Sequence, residues 1–281
     1  MARVHIPPPP ARRRAAVAVD GDYGVGDRPD WRDVDWAAQL RTMEIGDTTV
    51  NYVDVGEQGD RRPIVFVHGL GGQWQNWLEN IPRFAEQRRV VALDLPGFGM
   101  SPMPKETITI ERYGRVVAEL CDRLGLAPAV LVGNSMGGYV AAQTAIEAPE
   151  AVERLMLVAA AGISQSEVPL GAALRTAKIL GLATRASTAQ HRHHMARPAL
   201  RHWILSLVVR HPTRLRPDIA FEGLVKGAGK PGFVDALEAC IDYDFRDRLP
   251  EIACPTLVVW GREDAIIPVA DADTYVELIS G

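Results

Sequence analysis

The sequence predicts an α/β fold: a mainly parallel sheet with helices on both faces and a helical lobe inserted near its C-terminal end. Three observations carry this. Short continuous apolar runs such as Ile64–Val67 and Val90–Leu93 suit parallel strands covered on both faces. Stretches of helical periodicity separate these runs, as repeated βα units require. The segment from Ile163 to Arg248 breaks the rhythm, with helical periodicity and no convincing strand.

The elements follow in order. Residues 1–40 read as a partly disordered N-terminal arm, with the polyproline run Pro7–Pro10 and the basic run Arg12–Arg14. The apolar run Ala15–Val19 is too short for a signal-peptide core or a membrane span. Residues 41–162 form the first part of the core, 163–248 a helical cap and 249–281 the second part of the core. Thr48–Val55 alternates polar and apolar, which predicts an exposed antiparallel strand. Between Ile64–Val67 and Val90–Leu93, Trp77–Gln87 suits a helix. Thr109–Leu124 suits a longer one, closed by Gly125. Strand Ala129–Val132, helix Met136–Glu147 and strand Arg154–Ala159 come next. In the cap, Leu200, Trp203, Ile204, Leu207 and Val208 fall on one helical face, with Pro198 suited to the first turn. Pro255–Trp260 reads as a further buried strand and Val269–Ile279 as a helix. There is no internal repeat.

Composition narrows the class. The chain has 281 residues, 47% of them hydrophobic and 23% charged, enough for a sizeable core. A net charge of −4 argues against general nucleic-acid binding. Cys121, Cys240 and Cys254 lie in periodic apolar contexts, so buried free thiols are expected, not a disulfide or a metal site. An odd cysteine count suits a cytoplasmic location.

The chemistry is written in three motifs. Gly133-Asn134-Ser135-Met136-Gly137 lies between a strand and a helix, the setting of a nucleophile elbow. A serine at such a sharp turn takes strained backbone angles, and only residues with little or no side chain fit two before and two after it. The turn lifts the Ser135 hydroxyl clear of the sheet and aims the Met136 amide at the place where an oxyanion forms. His68-Gly69-Leu70-Gly71-Gly72 follows a strand, so the Leu70 amide is the expected second donor. His68 itself is expected to hydrogen-bond its loop, since it precedes the nucleophile on the wrong strand for a base. Asp264, in Gly261-Arg262-Glu263-Asp264, also follows a strand, where a carboxylate can orient an imidazole. A plain turn aspartate remains the alternative for Asp264, and Glu263 a substitute for it.

With Asp94–Ser101 after its own strand, these motifs resemble the α/β-hydrolase family, in its capped serine esterase and lipase branch, from about Arg41 to Ser280. The resemblance implies Ser135 as nucleophile, Asp264 as triad acid, Leu70 and Met136 as oxyanion donors, and Asp94–Ser101 as a structural turn. It implies hydrolysis of a small-molecule or lipid carboxylic ester through an acyl-enzyme, with no cofactor. Asn134 before the nucleophile resembles the carbon–carbon bond hydrolases of ring-cleavage products, although the loop after His68 lacks their usual proline. A ligand-binding homologue without turnover is the non-enzyme alternative.

One departure matters. The triad order is Ser, acid, His, and no histidine follows Asp264. The final strand and histidine loop of the family are therefore expected to lie beyond Gly281. A cap histidine serving as base (His191, His193, His194, His202 or His211) and binding without turnover are the competing readings. The 281 residues alone are expected to hydrolyse activated esters feebly.

Between Ile163 and Pro217, nine basic residues face one acid, Glu167. Either this is a solvated face or it attracts an anionic substrate or, weakly, an anionic membrane surface. His191–His194 is not expected to bind metal, because Arg192 sits among the histidines and no carboxylate or cysteine is near. Trp74 and Trp203 are the candidates for lining an apolar acyl pocket, with Trp77 a third aromatic of the same kind. Oligomeric state is not written in the sequence.

Overall fold

A computed structural model describes residues 29–164, 193–206, 208–226 and 229–280. The polyproline and arginine runs of the arm, and the basic residues from Arg175 to Arg192, lie outside the described residues. The strands are β1 (Leu40–Ile45), β2 (Thr48–Val55), β3 (Ile64–Val67), β4 (Val90–Leu93), β5 (Ala129–Asn134), β6 (Val152–Val158) and β7 (Thr256–Val259). They form one sheet in the order β1-β2-β4-β3-β5-β6-β7. β2 is antiparallel to β1 and β4, and the remaining pairs are parallel.

The apolar runs behave as two-faced strands. Val65, Val67, Val91, Leu93 and Leu131 enter one buried cluster, while Ile64, Phe66, Val90, Ala92 and Val132 enter a second on the opposite face. Alternation along each strand divides one run between two cores. The helices around the sheet are α1 (Trp36–Gln39), α2 (Asn80–Ala85), α3 (Ile110–Arg123), α4 (Met136–Glu147), α5 (Pro198–Leu205), α6 (Phe233–Asp242) and α7 (Ala270–Leu278). α3 shows why its sequence starts and stops there. The Thr109 side chain accepts a hydrogen bond from the Arg112 N–H at 3.1 Å, and Gly125 reverses the chain at φ 62°.

Four expectations are corrected. β2 is mostly buried, not exposed, because β1 covers its edge. Residues 30–39 are not part of a loose arm: they form helical turns whose Trp31 and Trp36 pack onto the second cluster. The helix expected over Trp77–Gln87 is split into a 3-10 turn, Trp74–Trp77, and the short α2. The buried face of α5 is Arg201 and Leu205, whereas Trp203 is 76% exposed. Arg201 explains this turn of the helix. Its guanidinium is buried and donates to the carbonyls of Met195, Pro212 and Thr213, gathering the chain around itself.

Between β6 and β7 no strand occurs among the described residues. Met195, Leu205, Ala220 and Phe221 make a small separate core there. α6 belongs elsewhere: its Ala236 and Cys240 join the main cluster, and the helix packs beside α3. From Phe233 onward the segment between β6 and β7 thus packs with the principal core. Among the described residues no helix is long and apolar enough to cross a membrane. Cys121 and Cys240 are buried free thiols and Cys254 is half-buried.

The order of the strands positions the site. β4 lies on one side of β3 and β5 on the other, so the chain reverses its winding between β3 and β5. Loops leaving the carboxyl ends of such a pair diverge and open a crevice, where ligands of parallel α/β sheets bind. The loop after β3 carries His68–Gly72 and the turn after β5 carries Ser135.

Candidate active site

Ser135 sits between β5 and α4 with φ 54° and ψ −123°, a backbone region that side chains rarely occupy. The surrounding structure fixes it there. Its N–H donates to the Val158 carbonyl at 3.0 Å, and its own carbonyl accepts from the Gly138, Tyr139 and Ala161 amides. A Cβ on Gly133 would overlap the Gly137 backbone, and one on Gly137 would overlap the carbonyls of Val67 and His68. Gly138 is pressed against Ala160 in the same way. Among the described residues, neither the Ser135 hydroxyl nor the Met136 amide has a hydrogen-bond partner. The Met136 amide opens α4, at the positive end of that helix.

The loop after β3 comes close beside it. A Cβ built on Gly69 would stand 3.0 Å from the Ser135 Cβ. Leu70 lines the same cavity, and its amide too is without a partner among the described residues. Asp94, at the end of β4, anchors this region from beneath. Its carboxylate accepts from the Trp74 amide at 2.7 Å, the Met100 amide at 2.8 Å and the Asn51 side chain at 2.8 Å. Ser101 completes the knot by donating to the Asp94 carbonyl and accepting from the Asn51 amide. The segment Asp94–Ser101, buried except at Met100, is a hydrogen-bond hub.

His68 is fully buried. Its Nε2 accepts from the Leu95 amide at 3.0 Å, and its Nδ1 lies 2.7 Å from the Gly69 carbonyl. Burial holds its pKa below the ordinary histidine value, against the opposing pull of the Asp94 charge.

Asp264 lines a cavity of about 610 Å³ that Leu70, Asn134 and Ser135 also line. One Asp264 oxygen accepts from the Ile266 and Ile267 amides, both at 2.9 Å. This is an Asx-type turn, and it leaves the second oxygen for another donor. Glu263 lines the cavity as well, but its carboxylate is held by Arg210 at 2.9 and 3.2 Å in a two-point contact between the segment after α5 and the loop after β7. That contact keeps the Glu263 carboxyl below its usual range.

Two predicted lining residues are elsewhere. Trp74 is buried in the second core with its ring 5.0 Å from that of Trp36, and Trp203 points outward on α5. Trp77 stacks on Phe66 in that same core. The apolar walls come instead from Leu70, Val208, Val209, Leu224, Ile266 and Ile267. His211 lines the cavity as well. It is one of the five histidines that the sequence offers as an alternative base. The basic face expected of the lobe is partly engaged internally, since Arg201 is buried, Arg210 pairs with Glu263 and Arg216 pairs with Asp218. No cluster of metal-ligating side chains is found among the described residues.

Comparisons with known proteins agree with this fold. A family model described as the alpha/beta hydrolase fold matches residues 62–281. The chain is 34% identical over 238 residues to the dihydrolipoyllysine-residue acetyltransferase component of the acetoin cleaving system of Pseudomonas putida, covering 82% of this chain and 59% of that protein. It thus spans about three-fifths of the length of that relative. It is 32% identical to the 2-hydroxy-6-oxo-2,4-heptadienoate hydrolase of Pseudomonas putida, covering 85% and 84% of the two chains. Among solved structures, the enol-lactonase from Burkholderia xenovorans superposes with a TM-score of 0.67 at 26% identity, over 86% of this chain and 88% of that one.

Proposed function

Because the chain belongs to the alpha/beta hydrolase family, we propose that it hydrolyses a carboxylic ester, open-chain or lactone, through a covalent acyl-enzyme on Ser135. The observation that carries this is a strained serine on the wall of a cavity, with its hydroxyl and the Leu70 and Met136 amides all without partners among the described residues.

In this reading the Ser135 Oγ attacks the ester carbonyl carbon and the carbonyl oxygen takes the negative charge. The Leu70 and Met136 amides hold that oxyanion, at positions set before the substrate arrives. An imidazole oriented by the second oxygen of Asp264 takes the serine proton and passes it to the departing alcohol. Water then attacks the acyl-serine by the reverse sequence and releases the acid. The walls formed by Val208, Val209, Leu224 and Ile266 suit an apolar acyl group, and no cofactor enters any step.

Hydrolysis of a carbon–carbon bond in a vinylogous diketone is the second reading. It rests on Asn134 and on the similarity to the heptadienoate hydrolase. A panel of p-nitrophenyl esters, an enol-lactone and a 2-hydroxy-6-oxo-dienoate separates the two. The ester reading expects the larger kcat/KM on esters or lactone, with every activity lost in Ser135→Ala. A larger kcat/KM on the dienoate overturns it. His211→Ala in the same panel tests that residue as the base: loss equal to that of Ser135→Ala supports His211 as the proton acceptor, and retention excludes it.

A further inference from the structure

We propose that His68 is a positioning residue that aims the Leu70 amide at the oxyanion by clamping the neighbouring Gly69 carbonyl from within the core. The inference rests on the acyl-enzyme reading of Ser135 and concerns how one of its two donors is held.

The tautomer of His68 follows from its partners. Nε2 lies 3.0 Å from the Leu95 N–H, which has only a proton to offer, so Nε2 presents its lone pair. A neutral imidazole then carries its proton on Nδ1, and Nδ1 donates to the Gly69 carbonyl at 2.7 Å. The ring is completely buried, with Phe98 edge-on at 5.5 Å, so it has no room to turn over. The Leu95 amide it accepts from is one residue beyond Asp94, whose carboxylate ties Asn51, Trp74 and Met100 together. The clamp is thereby anchored to the end of β4.

The Gly69 carbonyl matters because of what lies across the peptide bond. The Gly69–Leu70 unit is planar, and in a trans peptide the C=O and the N–H point in opposite directions. Drawing the carbonyl inward toward His68 turns the Leu70 N–H outward, away from the core. The Gly72 amide donates to the same carbonyl at 2.9 Å, so this oxygen accepts two hydrogen bonds and the peptide plane has little freedom left. Leu70 lines the cavity that holds Ser135, and its amide has no partner among the described residues. A buried imidazole thus fixes the direction of a donor it never touches.

Two variants separate aiming from bulk structure. The amide of Asn at position 68 reaches the place of Nδ1 and can still donate to Gly69. Gln reaches the place of Nε2, can accept from Leu95 and leaves Gly69 without its side-chain donor. His68→Gln is expected to lower kcat on a p-nitrophenyl ester by about 10- to 100-fold at nearly unchanged KM, somewhat less than full loss of an oxyanion donor. Its affinity for an aliphatic trifluoromethyl ketone, which forms an oxyanion adduct with the serine, is expected to fall by a similar factor. His68→Asn is expected to keep kcat within about threefold of the parent. Equal losses in both variants overturn the proposal. An unaltered parent that neither turns over ester nor forms the ketone adduct overturns the acyl-enzyme reading, and this inference with it. Long-range 1H–15N correlation spectra of the unaltered protein test the tautomer without any mutation. A proton on Nδ1 at pH 7 is expected, and a proton on Nε2 sinks the clamp even if neither variant folds.

Discussion

Ser135→Gly is expected to make the protein more stable by about 1 kcal/mol while removing its hydrolytic activity. Ser135 holds φ 54° and ψ −123°, a conformation that costs a residue with a Cβ about 1–3 kcal/mol. Glycine adopts it freely but has more unfolded-state entropy to lose, which returns about 0.5–1 kcal/mol. The net sign favours the variant. Ser135→Ala keeps the Cβ, and so keeps the strain, while losing the hydroxyl. The two substitutions should therefore be equally inactive and differently stable. For the activity, loss of a nucleophile of this kind lowers kcat by about 10⁴-fold or more. For the stability, a gain of 1 kcal/mol corresponds to about 2–4 °C in a chain of this size. Urea and thermal melts of the three proteins check the order Gly above Ala, with Ala close to the parent. Equal melting of the Gly and Ala variants would mean the turn is not strained. Ester turnover in either variant would mean that Ser135 is not the nucleophile.

What the sequence disclosed, and what it hid, follows the range over which each signal acts. The βα rhythm and the serine turn were legible because they are local. Ile64–Val67 and Val90–Leu93 begin and end where their apolar runs do, and Thr109 and Gly125 close α3 at both ends. The glycines flanking Ser135 predicted close backbone contact, although not that the contact at Gly137 would be with Val67 and His68, some seventy residues upstream. The misreadings arise where long-range packing decides. Trp74 and Trp203 are both aromatic residues in amphipathic surroundings, yet one is buried in the second core with its ring tilted against that of Trp36 and the other faces outward. The helical face assigned to α5 was the apolar one. The observed buried face contains Arg201, because three carbonyls converge on its guanidinium and satisfy it there. Periodicity counts apolar side chains and cannot see carbonyls brought together by a turn at Pro212. The walls of the cavity were hidden for a related reason. Val208, Val209 and His211 follow α5 without regular structure, and they line the same cavity as Asp264 through contacts distant in sequence, among them Arg210 with Glu263 and Arg201 with the Pro212 and Thr213 carbonyls.

Gly137→Ala is the substitution expected to cost most stability for its size. The first turn of α4 approaches the end of β3 so closely that a methyl group on residue 137 would occupy the space of the Val67 and His68 carbonyls. The obstacle is backbone, which cannot rotate aside as a side chain could. Relief requires α4 to withdraw from β3, or β3 to shift against β4 and β5, which flank it. Overpacking of a core costs about 1–3 kcal/mol when side chains can adjust. With backbone on the receiving side, about 3 kcal/mol or more is expected. Gly46→Ala supplies the contrast. Gly46 has φ 58° and open space around its Cβ position, so alanine there meets strain without collision and should cost about 1 kcal/mol. Chemical denaturation of both variants measures the difference. A cooperatively folded Gly137→Ala that melts near the Gly46→Ala variant would show that the two segments are free to separate. The chemistry depends on the same approach. The Met136 amide belongs to the turn that would withdraw, and the Leu70 amide to the loop that continues β3, so any movement that accommodates the methyl group pulls the two donors apart. Loss of stability and loss of turnover are therefore expected together in Gly137→Ala, whereas Ser135→Gly divides them.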